Sequence, residues 1–213
     1  MCSKRGMGWL GRGAIARQLC GGRRRGGILV TAALVAGGLV GCRPTAATGK
    51  GPGAAPAAIG AVEVRLVDHE ALMAAVSASR GRIVVLDCWS TSCPPCVKEF
   101  PGLVKLAAAH PDDVTCLSLS LDYDGVGRPE NALPAVRRFL TDVGASAVQN
   151  LLASEEADAM YRKLDLASVP AVYVWKADGT LAARFDDDMA ARSLGRPFTY
   201  DDVEAMVRDL LRP

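Results

Sequence analysis

Apolar residues from Val62 onward repeat in turn with the two-residue period of strands and the 3.6-residue period of helices. Short apolar runs predict strands at 62–66, 83–88, 114–121, 171–175 and 181–185. Helical periods, capping residues and glycine stops predict helices at 68–79, 93–109, 132–143, 155–164 and from Thr199 to the end of the chain. The last two strands flank Asp178-Gly179 and are expected to form a hairpin. This alternation predicts one α/β domain over residues 61–213.

Local signals refine this outline at several positions. Asp68 is expected to cap the first helix, and Ser154 the fourth. Pro101 should kink the second helix. Residues 122–131 contain glycine and proline and are predicted to be a loop. The run Asp186-Asp187-Asp188 is interpreted as a solvated loop, with a docking patch as the alternative.

The first 41 residues have a pattern typical of targeting rather than folding. Arg23-Arg24-Arg25 precede an uncharged apolar run at 28–40, which is short for a membrane span. With Leu39-Val40-Gly41-Cys42 behind it, this segment resembles a bacterial lipoprotein signal, which implies that Cys42 receives a lipid. An ordinary secretory signal and an uncleaved anchor are the alternatives, and Arg24-Arg25 also fits twin-arginine export.

Residues 42–60 are predicted to be the lipidated cysteine and a flexible tether. They are nearly all Ala, Gly, Pro and Thr, which cannot bury enough apolar surface to fold. Charge changes at the same boundary, because 7 of the 25 basic residues and none of the 23 acidic ones precede Cys42. The remainder carries a net charge of −5. Charge therefore gives no support for nucleic acid as a partner.

Two cysteines stand directly after the predicted strand at 83–88, in Cys93-Pro94-Pro95-Cys96. A structural zinc site needs four ligands, and there is no second pair at such a spacing, so no metal or other cofactor is predicted. A disulfide that opens and closes is the favoured interpretation. Copper binding by the two thiols remains an alternative. Cys88 and Cys116 lie on strands and are interpreted as small buried apolar residues.

The chain resembles the TlpA/ResA-like membrane-tethered thiol-disulfide oxidoreductases of the thioredoxin-like superfamily. The resemblance spans residues 62–213 and rests on Trp89 before the cysteine pair, Lys98-Glu99-Phe100-Pro101 after it, and Ser168-Val169-Pro170 at the start of a strand. It implies a central mixed sheet flanked by helices, with residues 122–152 as the central insertion of that family. It also implies a cis peptide bond before Pro170, beside the disulfide.

The spacing of the pair assigns different tasks to its two thiols. Cys93, at the turn, is expected to attack, and Cys96, one turn into the helix, to resolve the mixed disulfide. The helix N-terminus favours the Cys93 thiolate, but Pro94 and Pro95 remove two amides, leaving those of Cys96 and Val97 as donors. A less stabilised thiolate makes a better reductant, so the pair is predicted to reduce its substrates.

Further residues are predicted to serve this site. Asp87 lies in an apolar run where ionisation is costly, and the resemblance implies that it accepts the Cys96 proton. A position at the solvated end of the strand is the alternative. Glu99 is expected either to tune the thiols or to be a solvated helix charge. Trp89, Pro94, Pro95 and Val169 are predicted substrate contacts, with packing beneath the site as the main task of Trp89.

These observations predict an exported enzyme anchored to a bacterial membrane, with its domain on the periplasmic or extracellular side. Its expected partners are cysteine-containing exported proteins, a membrane electron donor and the membrane itself. The resemblance suggests apocytochrome c as one client. A copper chaperone and a thioredoxin-fold binding module without turnover are the competing functions.

Overall fold

The computed structural model describes residues 62–212. The predicted signal at 1–41, the lipid attachment at Cys42 and the tether at 42–60 lie outside the described residues and stay predictions. Within the described part of the chain, every helix is too short or too polar to cross a membrane.

The strands are β1 Val64–Val67, β2 Ile83–Trp89, β3 Val114–Ser120, β4 Gln149–Ala153, β5 Ala171–Trp175 and β6 Leu181–Phe185. The helices are α1 His69–Ala78, α2 Pro94–Ala109, α3 Leu133–Asp142, α4 Ala157–Lys163, α5 Asp187–Ser193 and α6 Tyr200–Leu211. Short 3₁₀ turns cover Pro129–Ala132 and Ala145–Ala147.

The six strands form one mixed sheet in the order β1-β4-β3-β2-β5-β6. The first four strands in this order are parallel, while β5 runs antiparallel to β2, and β6 antiparallel to β5. With helices on both faces, this is the predicted thioredoxin-like fold. Strand β2 lies inside the sheet between β3 and β5, which explains why all seven of its residues are buried.

The alternation of side chains along β2 divides the apolar core into two clusters. Val85 and Trp89 pack with α2 and α6 on one face of the sheet. Leu86 and Cys88 point to the other face, towards α1 and α4. By the same alternation, Asp87 faces α2 and α6, the side on which Cys96 is buried.

The sequence-based outline does not predict strand β4. This strand overlaps the end of the segment 122–152, which was interpreted as the insertion. Only three of its residues, Leu151 to Ala153, form an apolar run. Asn150 is buried because its amide donates to the carbonyl groups of Ala145 and Val148, and its Oδ1 accepts from the Ser118 hydroxyl. Because its hydrogen bonds allow the polar Asn150 to be buried, the hydrophobic pattern of the sequence does not reveal this strand.

Two helix predictions also need correction. Helix α4 has Glu156 rather than Ser154 at its N-cap. The acidic run is not a solvated loop, because Asp186 is buried and caps α5, accepting the Met189 amide at 2.7 Å. The predicted cap of α1 is confirmed, because Asp68 accepts the Ala71 amide. Helix α6 begins with a capping box formed by Thr199 and Asp202.

Candidate active site

The cysteine pair lies where β2 meets α2. The chain leaves β2 at Trp89, turns through residues 90–92, and places Cys93 at the N-cap of α2. Cys93 and Cys96 are joined by a disulfide, with their Cα atoms 5.3 Å apart. Cys93 is half-buried, whereas Cys96 is only 2% exposed. The two sulfurs therefore differ in access, as exchange through a mixed disulfide requires.

Pro94 and Pro95 occupy the first two helical positions, where a missing N–H costs no intrahelical bond. The Cys96 amide donates to Cys93 Sγ at 3.3 Å. The Val97 amide instead donates to the Cys93 carbonyl oxygen at 3.1 Å. The prediction that both amides face the sulfur is thus right for Cys96 and wrong for Val97, whose N–H closes the first turn of the helix.

The loop before β5 approaches the disulfide from the other side. The peptide bond between Val169 and Pro170 is cis, which confirms the expectation from the family resemblance. The Val169 carbonyl oxygen lies 3.5 Å from Cys93 Sγ. Antiparallel pairing of Cys88 with Ala171 brings this loop to the end of β2.

Asp87 is buried, with 3% of its surface exposed, so it does not lie at a solvated strand end. Burial raises the pKa of Asp87 from its ordinary value of 3.8 to about 7, and a hydrogen bond from the Tyr200 hydroxyl opposes this rise. That bond is 2.6 Å long. A carboxyl group that changes charge near neutral pH is suited to exchanging protons.

Glu99 contacts the same tyrosine through the main chain. Its Oε2 accepts the Tyr200 amide at 3.3 Å, and its Oε1 lies 3.8 Å from the Lys98 ammonium. The Glu99 carboxylate therefore lies at the N-terminus of α6, where the helix dipole favours a negative charge. The Glu99 carboxylate thus forms a specific contact between α2 and α6, and it is not a fully solvated helix charge.

Tyr200 is a site residue that the sequence pattern did not indicate. It reaches the site because Gly102 of α2 leaves room: a Cβ at Gly102 would lie 2.2 Å from Tyr200 Cβ. A glycine in the interior of α2, directly after Pro101, is the one signal in the sequence for such a close approach.

Trp89 is fully buried and has no surface to offer a substrate. Its ring centroid lies 4.9 Å from that of Phe100 and 4.8 Å from that of Phe139, within an aromatic cluster. The prediction of packing beneath the site is confirmed, and that of a substrate contact is wrong, because β2 directs this side chain into the core. Pro94 and Pro95 are exposed and Val169 is half-buried, so substrate contact by these three stays a prediction.

Asp122 is a second residue that sequence reasoning missed, since it lay in a segment interpreted as a loop. Its carboxylate follows β3 and accepts hydrogen bonds from the Ser90 hydroxyl at 3.1 Å and the Thr91 amide at 2.9 Å. The hydroxyl groups of Thr91 and Ser120 donate to it as well. These bonds fix the turn that leads into Cys93, so Asp122 helps to position the Cys93 sulfur.

The two remaining cysteines of the described part are buried and free, as predicted. Burial raises the pKa of Cys116 to about 12 and that of Cys88 well above its ordinary value. Both thiols therefore stay protonated and unreactive at neutral pH. Residues 62–212 hold no cluster of three or more His, Cys, Asp or Glu side chains that fits a metal ion.

Neither a protein-family model nor a curated protein matches the sequence. Among solved structures, the chain is similar to a secreted Mycobacterium tuberculosis disulfide oxidoreductase homologous to E. coli DsbE, with 22% identity and a TM-score of 0.48 over 62% of this chain and 85% of the other. A DsbF homologue from Corynebacterium diphtheriae gives 19% identity and a TM-score of 0.48, covering 63% and 75%. StoA from Bacillus subtilis gives 16% and 0.42, covering 60% and 83%. With TM-scores below 0.5, these similarities add nothing to what the geometry of the site supports.

Proposed function

We propose that the chain is a protein thiol-disulfide oxidoreductase that acts as a reductant through Cys93 and Cys96. One observation carries this proposal: a disulfide at a helix N-terminus joins one half-buried cysteine to one that is almost fully buried. The accessible sulfur can meet a protein substrate, while the buried one can react only within the chain. This division suits one attacking and one resolving thiol.

The reaction starts from the reduced pair. The Cys93 thiolate attacks one sulfur of a client disulfide, forming a mixed disulfide and releasing the other client sulfur as a thiolate. Cys96 then gives its proton to Asp87 and attacks Cys93 Sγ. The bond between Cys93 and the client breaks, and the client leaves as a dithiol once its sulfurs are protonated. Two electrons pass to the client, and the Cys93–Cys96 disulfide must be reduced again by a donor.

The place and partners of this reaction are also part of the proposal. The predicted lipoprotein signal places the enzyme on an extracytoplasmic membrane surface, where disulfides persist. Its clients are cysteine-containing exported proteins, of which apocytochrome c is one candidate, and a membrane protein supplies the electrons. The exposed faces of Pro94 and Pro95, together with Val169, are the surface that we expect a client to meet.

A turnover assay with an insulin disulfide substrate and dithiothreitol tests this function. The purified full chain should accelerate insulin reduction, and Cys93→Ala should return the rate to the background. A chain that binds Cu(I) tightly with its reduced thiols, yet gives no acceleration with insulin or other protein disulfides, is instead a copper-binding protein. A chain with neither property is a binding module without turnover.

The prolines of the site predict the direction of electron flow. An N-cap side chain accepts hydrogen bonds from the second or third helical residue, here Pro95 or Cys96, and Pro95 has no N–H to give. Pro95→Ala restores that donor, so it should lower the pKa of Cys93 and stabilise the reduced pair. A gain of about 1.5–3 kcal/mol, the usual range for a bond to a charged group, corresponds to a reduction potential about 30–65 mV less negative.

Pro94→Ala is the matched control, because the amide of the first helical position does not face the N-cap side chain. It should change the potential much less than Pro95→Ala. Thiolate absorbance at 240 nm against pH gives the pKa of Cys93, and equilibration with glutathione gives the potential. Equal potentials in both variants and the wild type would contradict the assigned effect of the missing amide.

A further inference from the structure

Tyr200 joins the last helix of the chain to the buried carboxyl group of the site. Its side chain crosses from the first position of α6 to β2, and its hydroxyl donates to Asp87 Oδ2 at 2.6 Å. Both residues are buried, with 7% and 3% of their surfaces exposed. The contact is therefore a hydrogen bond screened from water, the setting in which such a bond affects charge most strongly.

The two oxygens of Asp87 are in different environments. Oδ2 has the tyrosine hydroxyl as its partner, whereas Oδ1 is buried with no hydrogen-bond partner among residues 62–212. A buried unpaired carboxyl oxygen is costly unless it carries or receives a proton. Oδ1 is thus the oxygen that is free to take part in proton exchange.

Tyr200 is held in place independently of Asp87. Its backbone amide donates to Glu99 Oε2, and its Cβ lies against Gly102 of α2. One residue of α6 thereby contacts carboxylates from both elements of the redox site, Glu99 on α2 and Asp87 on β2. The position of the hydroxyl is set by the packing of two helices and does not depend on the charge of Asp87.

We propose that Tyr200 is a positioning residue for the resolving step, holding Asp87 by Oδ2 so that Oδ1 receives the Cys96 proton. This inference rests on the proposed function, which supplies the step itself. The Cys96 S–H bond breaks, its proton passes to Oδ1, and the resulting thiolate attacks Cys93 Sγ in the mixed disulfide. The departing client sulfur keeps the electron pair of the broken bond, and Asp87 then releases its proton to solvent or to that sulfur.

Few other groups near Asp87 affect its charge state. The titratable groups that interact electrostatically with Asp87 are Cys88 on β2, Cys116 on β3 and Tyr200 itself. Cys96 of α2 is buried on the same face of the sheet as Asp87. On the remaining side, β5 pairs Val172 with Asp87. Burial keeps Cys88 and Cys116 neutral, because it raises the pKa of each thiol. The tyrosine hydroxyl is therefore the polar group within the described residues that favours the ionised carboxylate.

Tyr200→Phe removes this one bond and keeps the ring that packs against α2. The pKa of Asp87 should rise, because the ionised form loses its donor. The midpoint of the pH profile for mixed-disulfide resolution should move up by about one pH unit, making resolution about fivefold slower at pH 7. Well above the new midpoint the rate should equal or exceed that of the wild type, because the carboxylate is then the stronger base.

Tyr173→Phe is the matched control. Tyr173 also donates its hydroxyl, to the Leu164 carbonyl oxygen, but it packs in the core on the opposite face of the sheet. Its loss should lower stability without moving the pH midpoint. The measurement uses the full chain, with resolution followed by rapid mixing of a preformed mixed disulfide between Cys93 and a chromogenic thiol.

A second measurement does not depend on turnover. The infrared band of the protonated Asp87 carboxyl group, assigned by its loss in Asp87→Asn, gives the titration of this group in the oxidised protein. In Tyr200→Phe its midpoint should rise, whether or not any client is reduced. An unchanged midpoint in a folded Tyr200→Phe protein would overturn the inference. A raised midpoint in a protein without any exchange activity would support the Tyr200–Asp87 coupling and refute the proposed function.

Discussion

Replacing Cys96 with alanine should abolish multiple turnover and leave the client covalently attached to Cys93. The half-buried Cys93 can still attack, but the almost fully buried Cys96 that releases the client is gone. The adduct should survive non-reducing electrophoresis and disappear with dithiothreitol. Mass spectrometry of the excised adducts then identifies the client cysteines, which makes this variant the direct route to the physiological substrate.

Cys93→Ala is the control for this trap, because the remaining Cys96 is nearly inaccessible and should capture little or nothing. Equal capture by the two variants would show that the assignment of attacking and resolving sulfurs is wrong. Capture by neither, with both proteins folded, would count against exchange chemistry with proteins altogether.

Asp87→Asn should remove a large pH dependence of stability between about pH 4 and pH 8. The carboxyl group has an ordinary pKa of 3.8 when the chain is unfolded and about 7 in the folded protein because of burial. The folded state thus binds the extra proton between these values, so wild-type stability falls as pH rises from about 4 to 7. Between low and high pH, ionisation of Asp87 costs the wild type about 4 kcal/mol of stability. Asparagine has no charge to bury, so the variant does not lose this stability.

Urea denaturation of both proteins from pH 4 to 8 measures this effect. The free energy of unfolding of the variant should increase relative to that of the wild type as the pH rises. This difference should level off above pH 7 to 8. Since the other carboxyl groups are common to both proteins, the difference reports Asp87 alone. Parallel stability curves would contradict a buried, protonated Asp87. The same variant should also resolve mixed disulfides slowly at every pH, because Cys96 loses its proton acceptor.

The residues of the cysteine motif could be predicted because their geometry is local. A buried strand, a three-residue turn and a helix that starts with two prolines position Cys93 and Cys96 within 14 residues of chain. Asp87 was likewise predictable as a carboxyl group in an apolar strand. For Cys93, Cys96 and Asp87 alike, the residues that determine the local structure lie within a few positions along the chain.

Contacts between distant segments were not predictable in this way. Tyr200 lies 113 residues from Asp87 and 101 from Glu99, and nothing local to Thr199-Tyr200-Asp201 distinguishes it from an ordinary helix start. Strand β4 was hidden in part for the same reason, since the buried Asn150 accepts a hydrogen bond from Ser118, 32 residues away. Trp89 shows the converse: its place beside the motif suggested a substrate contact, but the direction of its side chain along β2 buries it.

The equilibrium reduction potential of the Cys93–Cys96 pair tests the central claim most directly. With Cys96 supplying the amide contact to the Cys93 sulfur and Pro95 offering none, the reduced pair should be weakly stabilised. We therefore expect a potential nearer the value of thioredoxin, about −270 mV, than that of the oxidant DsbA, about −120 mV. A value close to −120 mV would contradict the assignment of this protein as a reductant and reverse the direction of electron flow.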